Sequence, residues 1–360
     1  MKNDIECILE KINNFEPSDK KIRIMEVCGT HTMSISKHGL RQLIPDYIEL
    51  ISGPGCPVCV TSQGDIDRII EIAEKFNATV FSFGDMMRVP GSYSSLYNEK
   101  SLGKKIKLCY SPMDALEYSV KNPREKVIFI AIGFETTIPI SSVLVKKADE
   151  LNLDNFFLYV THKLIPPAME LLLLDKNIKI DGFLYPGHVS TIIGSRPYSF
   201  IANKYKTAGA IAGFSPLDII EAIYLILKQI NEKKPLVEIQ YKSAVKEEGN
   251  IHAVKEIYDV FEISSSDWRG IGHIDGSGLK LKERFRKFDA AINFPVDIGI
   301  VREPPGCDCG DILKGIKKPF ECRLFEKVCS PVNPVGPCMV SSEGSCAAYY
   351  KYERNRDGQR

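Results

Sequence analysis

A chain of 360 residues is long enough for two or three compact domains, because domains average about 150 residues. Lys and Arg (47) nearly balance Asp and Glu (46), and the net charge of +1 gives no overall field for attracting nucleic acid or an acidic membrane surface. The 44% apolar and 26% charged composition argues against extended disorder.

The sequence contains no segment that predicts export or membrane insertion. Its first twenty residues mix acidic and basic side chains and lack the apolar stretch of a signal peptide. The most apolar segment, residues 217–230, contains Asp218, Glu221 and Lys228, so it falls short of the ~20 apolar residues that a membrane span requires. We therefore expect a cytoplasmic protein.

Short β-branched runs alternate with longer helical patterns from about residue 21 to residue 241, which is typical of βα units around a parallel sheet. The predicted strands cover residues 22–27, 47–52, 79–83, 105–110, 127–132, 156–160, 180–185, 209–212 and 236–240. Helices are predicted between them, for example over residues 65–76 and 136–151, where apolar residues recur at three- and four-residue spacing.

Three predicted strands end in similar phrases, FSFGD, IAIGFETT and AIAGFSP, and this weak repeat predicts two related α/β domains. We place the first at residues 1–140 and the second at residues 141–263. The alternation stops after about residue 264, and Gly, Pro and Cys dominate from Pro304 onward. The predicted fold is therefore α/β, with two related parallel-sheet domains and a Cys-rich, loop-rich module at residues 264–360, beside which the N-terminal helix should pack.

Polar motifs follow the predicted strands with regularity. They are CGTHT (28–32), GPGCPVC (53–59), GFETT (133–137), THK (161–163), PGHVS (186–190) and GFSP (213–216). Ligands of open parallel sheets bind outside the carboxyl ends of the strands, so we expect these loops to face one or two shared clefts. Turn and cap formation alone accounts for their Gly, Pro, Ser and Thr, but not for Cys or His.

Cys28 lies between a predicted strand and a helix that begins near Thr30. Exposed N–H groups at a helix start lower the pKa of a thiol, so we expect a raised thiolate fraction here. His31 is a candidate base or second ligand. The alternative for Cys28 is a buried structural cysteine.

Cys56 and Cys59 form a C-x-x-C pair in a loop stiffened by Pro54 and Pro57. Such pairs either cycle between dithiol and disulfide or hold a thiophilic metal. A zinc site would need a second pair, and Cys28 or a more distant group is a candidate to complete a metal site.

Glu135 in GFETT and His188 in PGHVS are candidate acid–base groups, or groups that position the metal ligands. For Glu135 the alternative is a carboxylate that caps a helix N-terminus. For His188, and more so for His162, it is a hydrogen-bonded structural histidine. We assign structural roles to His38, His252, His273 and Trp268.

Six of the eleven cysteines lie in the last fifty-four positions: Cys307, Cys309, Cys322, Cys329, Cys338 and Cys346. In a reducing cytosol such clustering indicates metal or redox chemistry before structural disulfides. The last four are separated by six, eight and seven residues rather than by the close pairs of zinc sites. We therefore favour an iron–sulfur cluster, with a four-thiolate zinc site as the alternative.

Two common nucleotide motifs are absent from the sequence. It has no G-x-x-x-x-G-K-[ST] phrase, so P-loop chemistry is not expected. The phrase nearest to G-x-G-x-x-G begins at Gly53 and Gly55 but has Val58 at the third glycine position, so dinucleotide binding has no support.

At CGTHT, GPGCPVC, GFETT, PGHVS and PVGPCMVSSEGSCAAYY the chain resembles the HypD family of hydrogenase maturation proteins, from about residue 20 to residue 350. The resemblance implies two α/β domains plus a domain carrying a 4Fe-4S cluster. It also implies a small HypC partner and cyanide delivered by HypE. Together these proteins form a metallochaperone scaffold on which the Fe(CN)2CO group of nickel–iron hydrogenases is assembled.

The resemblance also implies roles for individual cysteines. Iron of the Fe(CN)2CO group would be bound by Cys28, Cys56 and Cys59, because a low-spin iron carrying cyanide and carbon monoxide prefers thiolate ligands. The cluster ligands would be Cys322, Cys329, Cys338 and Cys346, with Cys307 and Cys309 also available. A cluster would supply electrons for reducing a Cys56–Cys59 disulfide, which requires two.

The leading hypothesis is therefore a scaffold for metallocofactor assembly with redox capability. The alternative is a stand-alone iron–sulfur-dependent thiol–disulfide reductase, which would use the same C-x-x-C pair. A structural zinc protein is the third hypothesis.

Overall fold

Two parallel β-sheets organise the computed structural model, which describes residues 2–15 and 20–354. Helices pack on both sheets, and a two-stranded antiparallel hairpin and a cysteine-rich region follow them in the chain. The predicted α/β class, with two parallel sheets and a cysteine-rich C-terminal region, is confirmed.

The strands agree closely with the sequence prediction. In chain order they are β1 (Ile22–Glu26), β2 (Ile48–Ser52), β3 (Ala78–Ser82), β4 (Ile106–Leu108), β5 (Lys126–Ala131), β6 (Phe156–Val160), β7 (Gly182–Pro186), β8 (Ala208–Ala212), β9 (Val237–Ile239), β10 (Phe261–Trp268) and β11 (Gly272–Leu281). All nine predicted strands are confirmed, with ends displaced by two residues at most. The hairpin strands β10 and β11 were not predicted.

The helices fill the connections between the strands. They are α1 (Lys2–Asn13), α2 (Gly29–His38), α3 (Leu40–Leu43), α4 (Pro57–Val60), α5 (Gln63–Lys75), α6 (Gly84–Met87), α7 (Leu96–Ser101), α8 (Met113–Lys121), α9 (Ile138–Glu150), α10 (Ile165–Leu174), α11 (Gly187–Ile193), α12 (Ser199–Asn203), α13 (Pro216–Glu232), α14 (Ile251–Val260), α15 (Ala290–Asn293), α16 (Cys309–Leu313), α17 (Pro337–Val340) and α18 (Ser345–Tyr352). Short 3-10 helices cover Arg196–Tyr198, Glu283–Phe288 and Pro319–Glu321. The helices predicted over 65–76 and 136–151 correspond to α5 and α9.

The strand order creates a switch point in each sheet. The first sheet has the order β2-β1-β7-β8-β9, so the chain moves to one side of β1 and later returns on the other. The second sheet has the order β4-β3-β5-β6 and changes direction in the same way between β3 and β5. Ligand sites of open parallel sheets lie where the strand order reverses, because the loops there diverge and leave a crevice. The first switch point lies between the loops that carry CGTHT and PGHVS.

The division between the sheets does not coincide with the predicted boundary at residue 140. The first sheet takes its strands from residues 22–52 and 182–239, and the second sheet, at residues 78–160, lies between these two segments in sequence. A strand's own sequence shows that it is buried but does not show which sheet it joins, so alternation alone suggested two consecutive domains.

The β10–β11 hairpin belongs with the second sheet rather than with the terminal module predicted at residues 264–360. Its side chains Phe261, Leu279 and Leu281 share a core with strands β5 and β6, and Lys163, just after β6, forms an antiparallel bridge with Gly278. The N-terminal helix α1 packs on α13 beside the first sheet.

Helix α13 shows how a very apolar segment is accommodated. Ser215 and Asp218 form a capping box at its start, and Pro216 occupies the first helical position. One face is buried on the first sheet, and each Ile or Leu buried there contributes roughly 1.5–3 kcal/mol relative to exposure. In the described part of the chain, no helix has the length and apolar character needed to cross a membrane.

Candidate functional site

The loops after β1 and β2 meet beside the switch point of the first sheet. The two strands are parallel neighbours, with Glu26 paired to Ser52 at their carboxyl ends. The N–H of Gly29 donates to the carbonyl oxygen of Gly55 at 3.0 Å. A Cβ on Gly55 would lie 2.3 Å from the backbone nitrogen of Cys28, which is closer than side chains permit. The predicted meeting of these loops is confirmed, and it depends on a glycine at position 55.

Cys28 is the N-cap residue of α2 and is 7% exposed. The N–H groups of His31 and Thr30 point at its thiol, as expected for a helix start. Burial and then the nearby charge of Glu343 nevertheless raise the pKa of the thiol to about 11. The predicted lowering of this pKa is therefore wrong, because desolvation of the thiolate outweighs the helix N-terminus.

Cys56 and Cys59 are joined by a disulfide, and both are buried. Cys56 is the N-cap of α4, and the N–H of Cys59 donates to its sulfur at 3.2 Å. The sulfur of Cys59 lies 3.8 Å from the carbonyl oxygen of Pro337, the residue before Cys338. The C-x-x-C pair thus stands in its oxidised form directly against the terminal cysteine region.

The six terminal cysteines gather around one place. Five are buried and Cys307 is partly buried. The pKa of the Cys346 thiol is raised well above its usual value, first by burial and then by its neighbours Cys309, Cys307, Cys329 and Cys322. The sulfurs of Cys309 and Cys338 are only 2.8 Å apart. One close sulfur pair and four further thiols are therefore available together.

These thiols fit an iron–sulfur group by the chemistry of the donor set. They include at least four cysteines, and such clusters are normally held by four thiolates. Within residues 2–15 and 20–354, no three or more His, Cys, Asp or Glu side chains are already placed so that they could hold a metal ion together. The donors are therefore present, but their sulfurs must move to bind.

His31 and His188 come together around the ring of Phe214. The ring centroid of Phe214 lies 4.0 Å from that of His188, which is exposed, and 4.9 Å from that of His31, which is buried. His31 Nε2–H donates to the Gly213 carbonyl at 2.9 Å, and burial lowers the pKa of His31 to about 4. His31 is therefore neutral, and its buried Nδ1, which has no partner, keeps a free lone pair. Phe214 was missed because GFSP fits a simple helix start.

Glu135 is a buried carboxyl in the loop after β5. Its Oε1 accepts from the N–H of Ile165, the first residue of α10, at 3.0 Å, while Oε2 has no partner. The contact agrees with the capping alternative, although the capped helix is not the one that follows Glu135 in the chain. Burial raises the pKa of this carboxyl to about 7.

His162 has the hydrogen bonds of a structural histidine. Its Nε2 lies 2.8 Å from the Ser141 hydroxyl and its Nδ1 lies 3.3 Å from the Gly133 carbonyl. Both ring nitrogens are occupied within the second sheet, so the ring offers no free site for a ligand.

Glu343 lies at the Cys28 site and was not among the predicted residues. Its Oε1 accepts from the Thr30 hydroxyl at 2.9 Å, and its Cβ would lie 2.5 Å from a Cβ on Gly29. The terminal region therefore packs directly on the start of α2. The signal available in the sequence was the position of Glu343 in SSEGSC, between two of the clustered cysteines.

Arg269 is a second residue that the sequence analysis missed. It is buried at the tip of the β10–β11 hairpin and borders a cavity of about 270 Å³ together with Cys307 and Cys309. The pKa of the Cys307 thiol is raised, first by its contact with Cys309 and then by burial, and Arg269 acts against this rise. Because the hairpin was not predicted, nothing in the sequence placed Arg269 near the cysteines.

The fold and the site define an α/β protein in which the loop of a C-x-x-C disulfide contacts both a cysteine-capped helix and a thiol-rich terminal region. The chain matches the HypD family model, described as the Hydrogenase formation hypA family, over residues 3–353. It is therefore a member of the HypD family, as the sequence motifs predicted.

Curated relatives cover nearly the whole chain. It is 46% identical over 348 residues to hydrogenase maturation factor HypD2 of Bradyrhizobium diazoefficiens, which covers 94% of this chain and 92% of that protein. It is 43% identical over 340 residues to HypD of Rhodobacter capsulatus (93% and 90%) and 41% identical over 352 residues to HypD of Escherichia coli K12 (97% and 94%). The chain is thus a hydrogenase maturation factor of the HypD type.

Proposed function

We propose that this protein is the cytoplasmic scaffold on which the Fe(CN)2CO group of nickel–iron hydrogenases is assembled. The observation that supports this most is the contact between the Cys28 loop and the C-x-x-C loop, where the Gly29 N–H donates to the Gly55 carbonyl beside the switch point. Iron is the cargo of this site. A small HypC-type protein docks at the cleft near Cys28, and a HypE-type protein delivers cyanide.

Cys28 and the reduced C-x-x-C pair supply soft ligands for this iron. The Cys28 thiol is protonated in the free protein because burial raises its pKa. Iron therefore displaces the thiol proton on binding, as thiol ligation generally requires. The buried site then holds no free thiolate until the metal arrives.

The four cluster ligands are Cys307, Cys322, Cys329 and Cys346. Cys309 and Cys338 are excluded from this set because their sulfurs lie 2.8 Å apart, whereas ligands on different irons of one cubane are held further apart. This assignment differs from the sequence expectation at one position, with Cys307 in place of Cys338. When bound, the cluster supplies single electrons that it receives from an external one-electron donor protein.

The C-x-x-C disulfide is the acceptor for these electrons. Reducing it breaks one S–S bond, consumes two electrons and two protons, and yields two thiols. Cys338 directly follows Pro337, whose carbonyl touches Cys59, so the close Cys309–Cys338 pair adjoins the residue that contacts the disulfide. Reduction thus converts the C-x-x-C loop into its iron-binding form.

Infrared spectroscopy of the protein purified anaerobically with its HypC-type partner tests the proposal. We expect cyanide and carbonyl stretching bands from the complex, and their loss in Cys28→Ala, Cys56→Ala and Cys59→Ala. Cys7→Ala is the matched control, because Cys7 is an exposed free cysteine on α1, and it should keep the bands. Bands of wild-type intensity in Cys28→Ala would exclude the cleft as the assembly site.

The reductase alternative is less compatible with the site. A reductase of protein disulfides must present its C-x-x-C pair to a macromolecular substrate, but Cys59 is fully buried and Cys56 is only 3% exposed. Turnover of a protein disulfide by the isolated chain, without the infrared bands, would support that alternative.

A further inference from the structure

The tip of the β10–β11 hairpin is fastened to the C-x-x-C helix. Arg269 follows the last residue of β10, and its N–H donates to the carbonyl of Val60, the last residue of α4, at 2.9 Å. Thr61 and Trp268 form an antiparallel bridge beside this bond. The backbone of Arg269 is thus fixed relative to the Cys56–Cys59 disulfide.

The same tip also packs on the terminal cysteines. A Cβ on Gly270 would lie 2.2 Å from the Cα of Gly310, the residue after Cys309. Gly270 also has a φ of +70°. Both the close approach to Gly310 and this left-handed backbone conformation favour a residue without a side chain. The hairpin therefore holds Arg269 between the disulfide and the six-cysteine region.

The Arg269 side chain is buried without a negatively charged partner. The residue is 3% exposed, and its Nη2 donates to the Gln63 side chain at 2.5 Å. Its Nε and Nη1 are buried and have no hydrogen-bond partner among the described residues. An unpaired buried cation costs several kcal/mol, so this position requires an anion.

The cavity beside the guanidinium indicates which anion. Its volume is about 270 Å³, and Cys307 and Cys309 lie on its wall. Three carboxylates also border it: Glu303 is exposed, so solvent screens its charge, and Asp308 and Asp311 are each already paired with Lys317. A 4Fe-4S cluster held by four thiolates carries a net negative charge, as do free thiolates in the same place. The terminal cysteines are therefore the remaining source of negative charge on the wall of this cavity.

We propose that the Arg269 guanidinium is the counter-ion and hydrogen-bond donor of the terminal thiolates, and that it raises the reduction potential of the cluster they hold. Reduction adds one electron, and the added negative charge is stabilised by a fixed cation in a water-poor site. No bond forms or breaks in this step. The inference rests on the cluster proposed above, and Arg269 acts as a positioning residue rather than as a ligand.

The test compares Arg269→Gln and Arg269→Lys with wild type in the full-length protein, purified anaerobically. Iron content and visible absorption report the cluster, and an electron paramagnetic resonance redox titration reports its midpoint potential. For Arg269→Gln we expect the equilibrium constant for one-electron reduction to fall about tenfold or more, a shift of about 59 mV or more to negative values. Arg269→Lys keeps the charge but loses the planar fork, so its shift should be smaller.

Arg68→Gln is the matched control. Arg68 borders the surface pocket that Arg269 also lines, but its side chain is 45% exposed, so solvent screens its charge. The cluster of the Arg68→Gln protein should have the same midpoint potential as that of the wild type. A fully loaded Arg269→Gln protein with wild-type potential would overturn the inference and leave the proposed function intact.

The remaining outcomes are also decisive. Colourless wild-type protein would overturn the proposed cluster and this inference with it. If Arg269→Gln loses its iron, the inference is tested instead by the midpoint potential of the Arg269→Lys protein, provided that this variant keeps its cluster. Iron loss from both variants with unchanged thermal unfolding supports the counter-ion role, whereas iron loss with a large fall in thermal stability assigns Arg269 to hairpin packing and overturns the inference.

Discussion

At the scale of single residues, burial sets the chemistry of the titratable groups in this protein. Cys28 lies at a helix start and Glu135 lies at a helix N-terminus, and both positions ordinarily favour the charged form. Both groups are nevertheless buried, and the pKa of each is raised, to about 11 for Cys28 and about 7 for Glu135. Desolvation outweighs the helix N-terminus in both cases.

Glu135 makes the stability of the protein depend on pH. Its folded pKa of about 7 lies above the ordinary glutamate value of 4.5, so the protonated carboxyl contributes stability that is complete below about pH 4.5 and lost as the pH rises through about 7. Glu135→Gln does not titrate and keeps an oxygen for the Ile165 N–H. Its stability relative to wild type should therefore rise by up to about 3 kcal/mol between pH 5 and pH 8, measured by anaerobic urea unfolding.

The control for this prediction is Glu117→Gln, because Glu117 is 65% exposed on α8. Its stability difference from wild type should vary little over the same pH range. A Glu135→Gln difference that is also independent of pH would show that Glu135 is ionised in the folded protein throughout.

Sequence reading placed the cysteines well and the charged residues poorly, for a physical reason. Cys28, Cys56 and Cys59 belong to phrases at strand ends that contain glycine or proline, and the pattern of a strand end is local in sequence. Glu343 contacts Thr30, which lies 313 residues away in the chain, and Arg269 contacts Gln63, which lies 206 residues away. No local sequence pattern encodes contacts over such separations.

At the scale of elements, strand periodicity was sufficient to find β1 to β9, but not the β10–β11 hairpin. Between Phe261 and Trp268, strand β10 is mostly polar, with Glu262 and residues 264–267. Its pairing with β11 also shifts register between Ser264 and Ser266. A bulge interrupts the alternation on which strand recognition depends. The hairpin is therefore defined by its packing on the second sheet rather than by its own pattern.

The close approach of two loops gives a prediction at this scale. Gly55→Ala would place a Cβ 2.3 Å from the backbone nitrogen of Cys28, and because the obstacle is backbone, the β1 and β2 loops must separate. We expect the infrared bands of the assembled iron group to be lost and the thermal midpoint to fall. Gly84→Ala is the control, since the nearest atom to its Cβ is a Leu108 methyl at an ordinary 3.6 Å. Retention of the bands in Gly55→Ala would show that iron binding does not need this approach.

At the scale of the whole molecule, the terminal region is fastened to both sheets. Glu343 and α18 contact the start of α2 on the first sheet, while Gly310 packs on the hairpin of the second sheet. The second sheet is itself inserted between the two segments of the first, so the chain passes between the sheets more than once. The sequence predicted two sheets and a cysteine-rich region, but their interleaving follows from packing that no single segment reveals.

Arg41 is central to the attachment of the terminal region to the first sheet. Its guanidinium bonds the carboxylate of Glu26 at 2.5 Å and that of Glu353 at 2.7 Å, and it lies over the ring of Tyr349 at 4.7 Å. Glu26 is fully buried at the end of β1, two residues before Cys28. Removing Arg41 therefore leaves a buried carboxylate without its counter-ion and releases α18 from the first sheet.

We expect Arg41→Gln to lower the free energy of unfolding by about 3–5 kcal/mol, the usual effect of breaking a buried ion pair. Burial already raises the pKa of Glu26, against the opposing charge of Arg41. Without Arg41 the carboxyl is protonated more readily, so the destabilisation should be smaller at pH 5 than at pH 8 in anaerobic urea unfolding. Arg196→Gln removes a 4.0 Å ion pair with Glu247 whose two side chains are about 70% exposed, and it should cost no more than about 1 kcal/mol. An equal, pH-independent effect of both substitutions would mean that Arg41 contributes only as a surface charge, and that apolar packing alone holds the terminal region on the first sheet.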